Sequence, residues 1–170
     1  MAAMTAEQWD SSWMLEAYEE ARMSPDPSTQ NGAVIVGYQH GTVLGQACNT
    51  YPPGVLSSPA RLIRPVKYHY IEHAERGAIF SAAIDGLSAY RSTMYALWGA
   101  CSDCARAIIA SGITELVTHS FYDDYEGPWS RSIEVGDKMF EEAGVVRRRV
   151  DSQIMNRGEY ILFNREEVRF

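Results

Sequence analysis

TMYALWGACSDCARAIIASGITELVTH, residues 93–119, predicts a strand, a helix and a second strand in succession. The short apolar runs at 93–98 and 115–119 have the length of buried strands. Between them, residues 102–111 form a helical pattern, and Gly112 follows as a residue that commonly ends helices. Strands that alternate with helices in this way are typical of an α/β fold.

The flanking segments continue this alternation in both directions. Upstream, the pattern predicts helices at 6–23 and 72–85 and strands at 32–37 and 43–48, with the two strands forming a hairpin. Downstream, it predicts a helix at 130–143, a strand at 145–150 and one more strand at 160–163. We therefore expect a single domain over residues 1–170, with helices on both faces of a sheet that the hairpin makes mixed.

Charge and hydropathy exclude several classes of partner. The formal net charge of −7 argues against long nucleic acid, because proteins that bind it neutralise phosphates with basic surfaces. The arginines at 147–149 are interpreted as a solvated strand edge, with a small anionic ligand as the alternative. No apolar run reaches the roughly eighteen residues of a membrane span, and the first residues lack the basic start of a secretory signal. These features predict a cytoplasmic protein with no membrane partner.

Three residues at the starts of two predicted helices have the chemistry of a zinc site. Cys101 and Cys104, three positions apart, lie on one side of a first helical turn, where the helix dipole favours thiolates. His73 begins the preceding helix and completes a set of ligands that Zn²⁺ prefers. Three protein ligands leave a fourth position for water, as in catalytic zinc sites. The third cysteine, Cys48, is interpreted as a small buried hydrophobe in its strand.

Glu75 is the predicted proton carrier of this site. It lies two residues after His73, on another side of the helix, so it can stand beside the water without binding the ion. The order His-x-Glu followed by Cys-x-x-Cys matches the known signature of zinc deaminases. The mechanism expected is attack of a zinc-activated hydroxide on C4 of cytosine, while Glu75 passes protons to N3 and to the leaving amino group. A zinc-bearing assembly module without catalysis is the alternative from another class.

The sequence resembles the deoxycytidylate (dCMP) deaminase family within the cytidine deaminase superfamily. Three stretches carry the resemblance in family order: ARMSPDPSTQNGAVIV at 21–36, KYHYIEHAERGAIF at 67–80 and ACSDCARAIIASGITELV at 100–117. The resemblance implies a three-layer α/β/α fold with a mixed, roughly five-stranded sheet, and a homo-oligomer. It also implies hydrolysis of dCMP to dUMP and ammonia. The same chemistry on dCTP, a 5-modified dCMP or a free nucleoside or base is the alternative.

The resemblance also implies contacts to the deoxynucleotide substrate. Asn49 matches the residue that holds the sugar, and Ala74 would offer its backbone to the base. Arg22 and Ser24 fall where the family approaches the phosphate, and Tyr122, with Tyr125, follows the strand at 115–119. Simpler interpretations stay open: a turn residue for Asn49, a solvated helix end for Arg22, and packing for the tyrosines.

Two further features concern regulation and departures from the family pattern. The proline-rich segment 50–70 places Arg61, Arg64 and Lys67 where a deoxynucleoside triphosphate regulator could bind; a lid or a subunit contact is the alternative. Ala100 replaces the usual proline before the first cysteine, which removes a residue that pre-sets the turn into the helix. Gly77 replaces a frequent asparagine, and this departure puts substrate choice in doubt.

Overall fold

The computed structural model describes residues 4–38, 41–119, 127–150 and 160–169. Its helices are α1 (Ala6–Arg22), α2 (Ala74–Ile84), α3 (Ser102–Ala110) and α4 (Ser130–Ala143), with short 3-10 helices at Pro59–Leu62 and Val66–His69. Its strands are β1 (Gly32–Val36), β2 (Val43–Cys48), β3 (Thr93–Ala96), β4 (Glu115–His119), β5 (Val146–Val150), β6 (Tyr160–Phe163) and β7 (Glu166–Arg169). None of the helices in these ranges is long and apolar enough to cross a bilayer.

The main sheet has five strands in the order β2-β1-β3-β4-β5. β1 pairs antiparallel with both β2 and β3, whereas β3, β4 and β5 run parallel to one another. The hairpin therefore makes the sheet mixed, and α3 and α4 are the crossover helices of its parallel half. The predicted mixed, five-stranded α/β fold is confirmed.

The sheet lies between two helical layers, and β1 shows why. All five of its residues are buried. Val34 and Val36 pack in a cluster with Met14 and Tyr18 of α1, whereas Ile35 packs on the opposite face in a cluster with residues of α2, α3 and α4. A strand covered on both faces is apolar at every position. The continuous apolar run of β1 is thus the signature of a three-layer arrangement.

Helix α2 packs closely on β2 because both carry glycine at the contact. A Cβ atom added to Gly45 would lie 2.3 Å from the backbone oxygen of Ala78. A Cβ at Gly77 would lie 2.9 Å from the Cβ of Ala47. The family's asparagine therefore has no room at position 77, and the close packing that glycine permits brings the start of α2 against the sheet.

The chain end differs from the prediction of a single added strand. β6 lies at the predicted residues, but it pairs with β7 in a separate two-stranded sheet. Gln30 fixes this hairpin: its backbone N–H donates to Leu162 O at 2.7 Å, and its side-chain oxygen accepts from Leu162 N at 2.9 Å. The rings of Phe163 and Trp98 then lie 4.5 Å apart, so the hairpin covers the end of β3.

Two arginines of β5, Arg147 and Arg148, form ion pairs within the fold. Arg147 pairs with Asp137 at 2.5 Å. Arg148 pairs with Asp10 of α1 and Glu115 of β4, and its Nη2 donates to each at 3.1 Å. These partners give Arg147 and Arg148 a structural role, and the alternative of an anion-binding cluster has no support from their contacts.

Candidate metal centre and active site

Two helix starts bring the predicted zinc ligands together. His73 is the N-cap residue of α2, Cys101 is the N-cap residue of α3, and Cys104 lies in the first turn of α3. The Nδ1 atom of His73 lies 3.5 Å from Cys101 Sγ and 3.4 Å from Cys104 Sγ. The three ligand atoms all lie within 4.8 Å of one another.

This spacing fits a tetrahedral zinc ion. Zinc bonds of about 2.0–2.1 Å to nitrogen and about 2.3 Å to sulfur separate the two donors by about 3.6 Å at a tetrahedral angle. Both observed nitrogen–sulfur distances agree with that value within about 0.2 Å. A hydrogen bond with the Cys104 side chain lowers the pKa of Cys101, which favours the thiolate that a zinc ion binds. The donor set and its spacing thus fit Zn²⁺.

Glu75 lies in the first turn of α2, directly beside this centre. It is 2% exposed and lines the same cavity as His73 and Cys101. Burial raises the pKa of its carboxyl group. A buried carboxyl group directly beside a metal centre is in a position to accept a proton and to return it.

The cavity has a volume of about 100 Å³ and two kinds of wall. Aromatic side chains form one part: Tyr68, Trp98, Trp129 and Phe163. The ring of Trp129 contacts both His73 and Tyr68 edge-on, with each centroid distance 5.7 Å. Polar side chains form the other part: Asp26, Thr29, Asn31, Asn49, Arg64 and Lys67. Flat apolar walls and a few polar groups are typical of a site for a planar heterocycle.

A buried chain of hydrogen bonds connects the 50–70 segment to Glu75. Lys67 Nζ lies 2.5 Å from Asp26 Oδ2, which also accepts from Asn49 Nδ2 at 3.3 Å. Asn49 Oδ1 accepts from the backbone N–H of Asn31 at 2.7 Å. Asn31 Nδ2 then donates to Glu75 Oε2 at 3.3 Å. We call these five residues the polar network.

The structure places the predicted substrate contacts in different surroundings. Asn49 lines the cavity. Its side-chain NH₂ group donates one hydrogen bond to Asp26 and one to Thr29 O. Among the described residues, one lone pair of its Oδ1 has no partner. Ala74 is buried at the start of α2. Ser24 is buried and donates to Asn49 O at 2.7 Å, whereas Arg22 is exposed and pairs with Glu19 at 3.2 Å. Neither Ser24 nor Arg22 is among the cavity-lining residues. Tyr122 and Tyr125 lie outside the described residues.

The three residues predicted to bind a regulator in the 50–70 segment also lie in different surroundings. Arg61 is held by Leu56 O at 2.7 Å and stacks over the Tyr70 ring at 4.4 Å. Lys67 is 4% exposed and belongs to the polar network. Arg64 lines the cavity and donates to Asn164 Oδ1 at 2.9 Å. Its buried Nε has no hydrogen-bond partner among the described residues, which leaves a donor for a ligand.

The segment around Ala100 is held from α4 in place of the missing proline. The hydroxyl of Ser132 accepts a hydrogen bond from the backbone N–H of Ser102 at 3.0 Å, which caps the start of α3. Gly136 lets α4 approach so closely that an added Cβ would lie 2.7 Å from Ala100 O. Contacts from a neighbouring helix therefore fix the turn that carries Cys101.

The cavity-lining residues that the sequence did not predict include two polar residues, Asp26 and Asn31, and two aromatic residues, Trp129 and Phe163. The two polar residues lie in a proline-rich stretch that predicts a solvated loop, and their burial depends on contacts with residues far along the chain. Asn31 carried one signal, since it directly precedes the fully buried strand β1. The sequence carried no such signal for Trp129 and Phe163, because both lie in elements that follow the zinc motifs along the chain.

Residues 7–120 match the family described as the cytidine and deoxycytidylate deaminase zinc-binding region. The chain belongs to this family of zinc-dependent deaminases. The resemblance seen in the sequence is therefore confirmed, and so is zinc as the metal of the family.

Individual deaminases agree with this membership. The chain is 33% identical over 139 residues to an uncharacterized deaminase of Aliivibrio fischeri, covering 79% of this chain and 91% of that one. It is 32% identical over 153 residues to the deoxycytidylate deaminase of Mus musculus, covering 84% and 79%. The dCMP deaminase of cyanophage S-TIM5, solved with dCMP and dUMP, has the same fold, with a TM-score of 0.69 at 20% identity over 87% of this chain and 100% of that one.

Proposed function

We propose that this deaminase hydrolyses dCMP to dUMP and ammonia. The observation that carries the proposal is the convergence of His73, Cys101 and Cys104 within 4.8 Å, with Glu75 buried on the wall of the same cavity. The Mus musculus relative, which is named a deoxycytidylate deaminase, supports the choice of nucleotide.

The proposed roles divide between the metal and the protein. His73, Cys101 and Cys104 would hold Zn²⁺, which when bound supplies the Lewis acidity that brings the pKa of water towards neutrality. Glu75 takes a proton from the attacking water and delivers it to N3 of cytosine. As the C4–N bond breaks, Glu75 transfers the remaining proton of the new C4 hydroxyl to the leaving amine, so water and the amino compound become a carbonyl and ammonia. The burial of Glu75 excludes bulk water from these transfers.

Two of the proposed substrate contacts, Asn49 and Arg64, line the cavity, and the others follow from the family pattern. Asn49 Oδ1 accepts from a hydroxyl of the sugar, and the backbone at Ala74 contacts the base. Arg64, whose Nε is available in the cavity wall, is a candidate for the phosphate, together with Arg22 and Ser24 as the family pattern implies. Tyr122 remains a candidate for an aromatic contact near the pocket, as the family pattern implies. Charged donors of this type bind one phosphate with few residues.

The substrate assignment is tested by the release of ammonia from dCMP, dCTP, 5-methyl-dCMP and deoxycytidine. The highest kcat/KM is expected for dCMP, and Arg64→Gln should raise the KM for dCMP while leaving that for deoxycytidine unchanged. A protein that turns over deoxycytidine but neither dCMP nor dCTP would not be a nucleotide deaminase.

Three properties of the whole protein belong to the same proposal: a homo-oligomer, a deoxynucleoside triphosphate regulator and a cytoplasmic location. Of the three regulatory candidates, Arg61 and Arg64 have guanidinium atoms that can reach a ligand, whereas Lys67 is buried in an ion pair. Addition of dCTP or dTTP to a dCMP assay tests regulation directly, and sedimentation tests the oligomer.

A further inference from the structure

Asn31 is the residue of the polar network that is bonded directly to Glu75, and only one end of its side-chain amide has a hydrogen-bond partner among the described residues. It is 8% exposed and lines the cavity with Glu75 and His73. One end of its amide, Nδ2, donates to Glu75 Oε2 at 3.3 Å. The other end, Oδ1, is buried and has no hydrogen-bond partner among the described residues.

The orientation of this amide follows from the acceptor beside it. A carboxylate accepts hydrogen bonds, so the NH₂ end must face Glu75 and the carbonyl end must face away. The backbone is fixed as well, because Asn49 Oδ1 accepts from the Asn31 N–H at 2.7 Å. Asn31 therefore carries a buried carbonyl oxygen, in one orientation, on a side chain that lines the cavity next to the proton carrier.

A buried acceptor without a partner destabilises a fold unless a ligand supplies the donor. We propose that Asn31 positions Glu75 through Nδ2 and recognises the 4-amino group of the pyrimidine through Oδ1. The inference rests on the proposed function, because it takes a cytosine nucleotide as the substrate. An exocyclic amine donates hydrogen bonds, and the amide oxygen of Asn31 can accept one. The same side chain donates to Glu75, the residue proposed to pass a proton to that amine.

This arrangement separates substrate from product. The reaction replaces the 4-amino group, a donor, by the 4-carbonyl of dUMP, an acceptor. Two carbonyl oxygens facing each other repel, so Asn31 Oδ1 favours dCMP and disfavours dUMP at the same place. Asn31 is thus a specificity-determining residue that weakens product binding after the C–N bond has broken.

Two variants separate the two ends of the amide. Asn31→Leu has a similar volume and lacks both polar ends, whereas Asn31→Asp keeps the acceptors and loses the donor to Glu75. The measured quantities are KM and kcat for dCMP and, by calorimetry, the Kd for dUMP. Zinc content and thermal stability are measured on each variant. Gln46→Leu removes an amide at an exposed position of β2 and is the control.

In Asn31→Leu, the ratio of the dUMP Kd to the dCMP KM should fall about tenfold relative to the parent protein, the size of one lost hydrogen bond. In Asn31→Asp, the ratio should stay within about twofold of the parent while kcat falls, because a second carboxylate then lies beside Glu75. Gln46→Leu should change neither quantity. An unchanged ratio in Asn31→Leu, or an equal fall in both variants, would overturn the role of Oδ1.

The same assay separates this inference from the proposed function. If the parent protein turns over no cytosine nucleotide, the proposed function fails. If it turns over dCMP and the ratio does not respond to Asn31→Leu, only the inference fails. If Asn31→Leu does not fold, Asn31→Asp still tests the inference. A large fall in its ratio of dUMP Kd to dCMP KM would contradict recognition by an acceptor.

Discussion

Replacing Lys67 by methionine should destabilise the protein severely even when no nucleotide is present. The Lys67 side chain is 5% exposed and its partner Asp26 is 2% exposed. Lys67 Nζ donates to Asp26 Oδ2 at 2.5 Å and to Ser28 Oγ at 2.6 Å. Methionine fills a similar volume but leaves the buried Asp26 carboxylate without its ion-pair partner.

The magnitude follows from the surroundings of Asp26. Breaking a buried ion pair from one side typically costs about 3–5 kcal/mol. Asp26 keeps four other donors: the backbone N–H groups of Ser28 and Thr29, at 2.9 and 3.3 Å, the Ser28 hydroxyl, at 2.8 Å, and Asn49 Nδ2, at 3.3 Å. These donors stabilise the remaining carboxylate, so we expect a loss near the lower limit, about 3 kcal/mol.

The assay is urea unfolding at pH 7 followed by tryptophan fluorescence. Lys138→Met is the matched control, because Lys138 is 75% exposed and lies 4.0 Å from Glu142; its cost should stay within about 0.5 kcal/mol. The double variant Asp26→Asn/Lys67→Met removes the stranded charge and should recover about 2 kcal/mol of the loss. A cost below about 1 kcal/mol for Lys67→Met would refute the structural role and leave Lys67 available to a phosphate.

Two other predictions concern the metal and the sheet. Cys104→Ser should lose bound zinc while the parent protein carries at least one zinc ion per chain, as measured by elemental analysis; full zinc content in the variant would contradict ligation by Cys104. Arg148→Met should lower the free energy of unfolding by about 2 kcal/mol at pH 7. This is less than for a fully buried ion pair, because the Arg148 side chain is about one third exposed. Its hydrogen bond holds the pKa of Glu115 below the ordinary value of 4.5, so Glu115 stabilises the parent above that pH and loses this contribution as the pH falls. The difference between Arg148→Met and the parent should therefore shrink below pH 4.5, and a difference that grows there would contradict the pairing.

The main sheet and the zinc centre could be predicted because their signals are local. β1 is apolar at every position, which is the pattern of a strand covered on both faces, and α1 lies at its predicted position. His73 and Cys101 were placed at helix starts from the sequence, and each is the N-cap residue of its helix. The roles of Glu75 and of the substrate contacts remain predictions.

The C-terminal hairpin could not be predicted in full because its turn uses unusual residues. Asn164 and Arg165 connect β6 to β7 and have φ angles of 51° and 74°. Two-residue hairpin turns with positive φ at both positions normally carry glycine at the second. Arginine at that position gives no turn signal, so the sequence pattern did not identify β7 or the approach of Phe163 to Trp98.

The polar network escaped prediction for a different reason. Asp26, Asn31, Asn49 and Lys67 have the composition of solvated loops, and no periodicity distinguishes a buried polar residue from an exposed one. Their burial results from the packing of three segments that are distant in sequence. The sequence therefore offered Lys67 to a regulator, with a lid or a subunit contact as the alternative, whereas its contacts in the structure are those of a buried structural cation.

The most direct measurement of the central claim is dUMP formation by Glu75→Gln together with its zinc content. Glutamine keeps the size of the side chain and cannot carry the proton. We expect one zinc ion per chain, as in the parent protein, and a fall in kcat of at least about a hundredfold. Turnover at the parent rate by the zinc-loaded variant would contradict the assignment of Glu75 as the proton carrier.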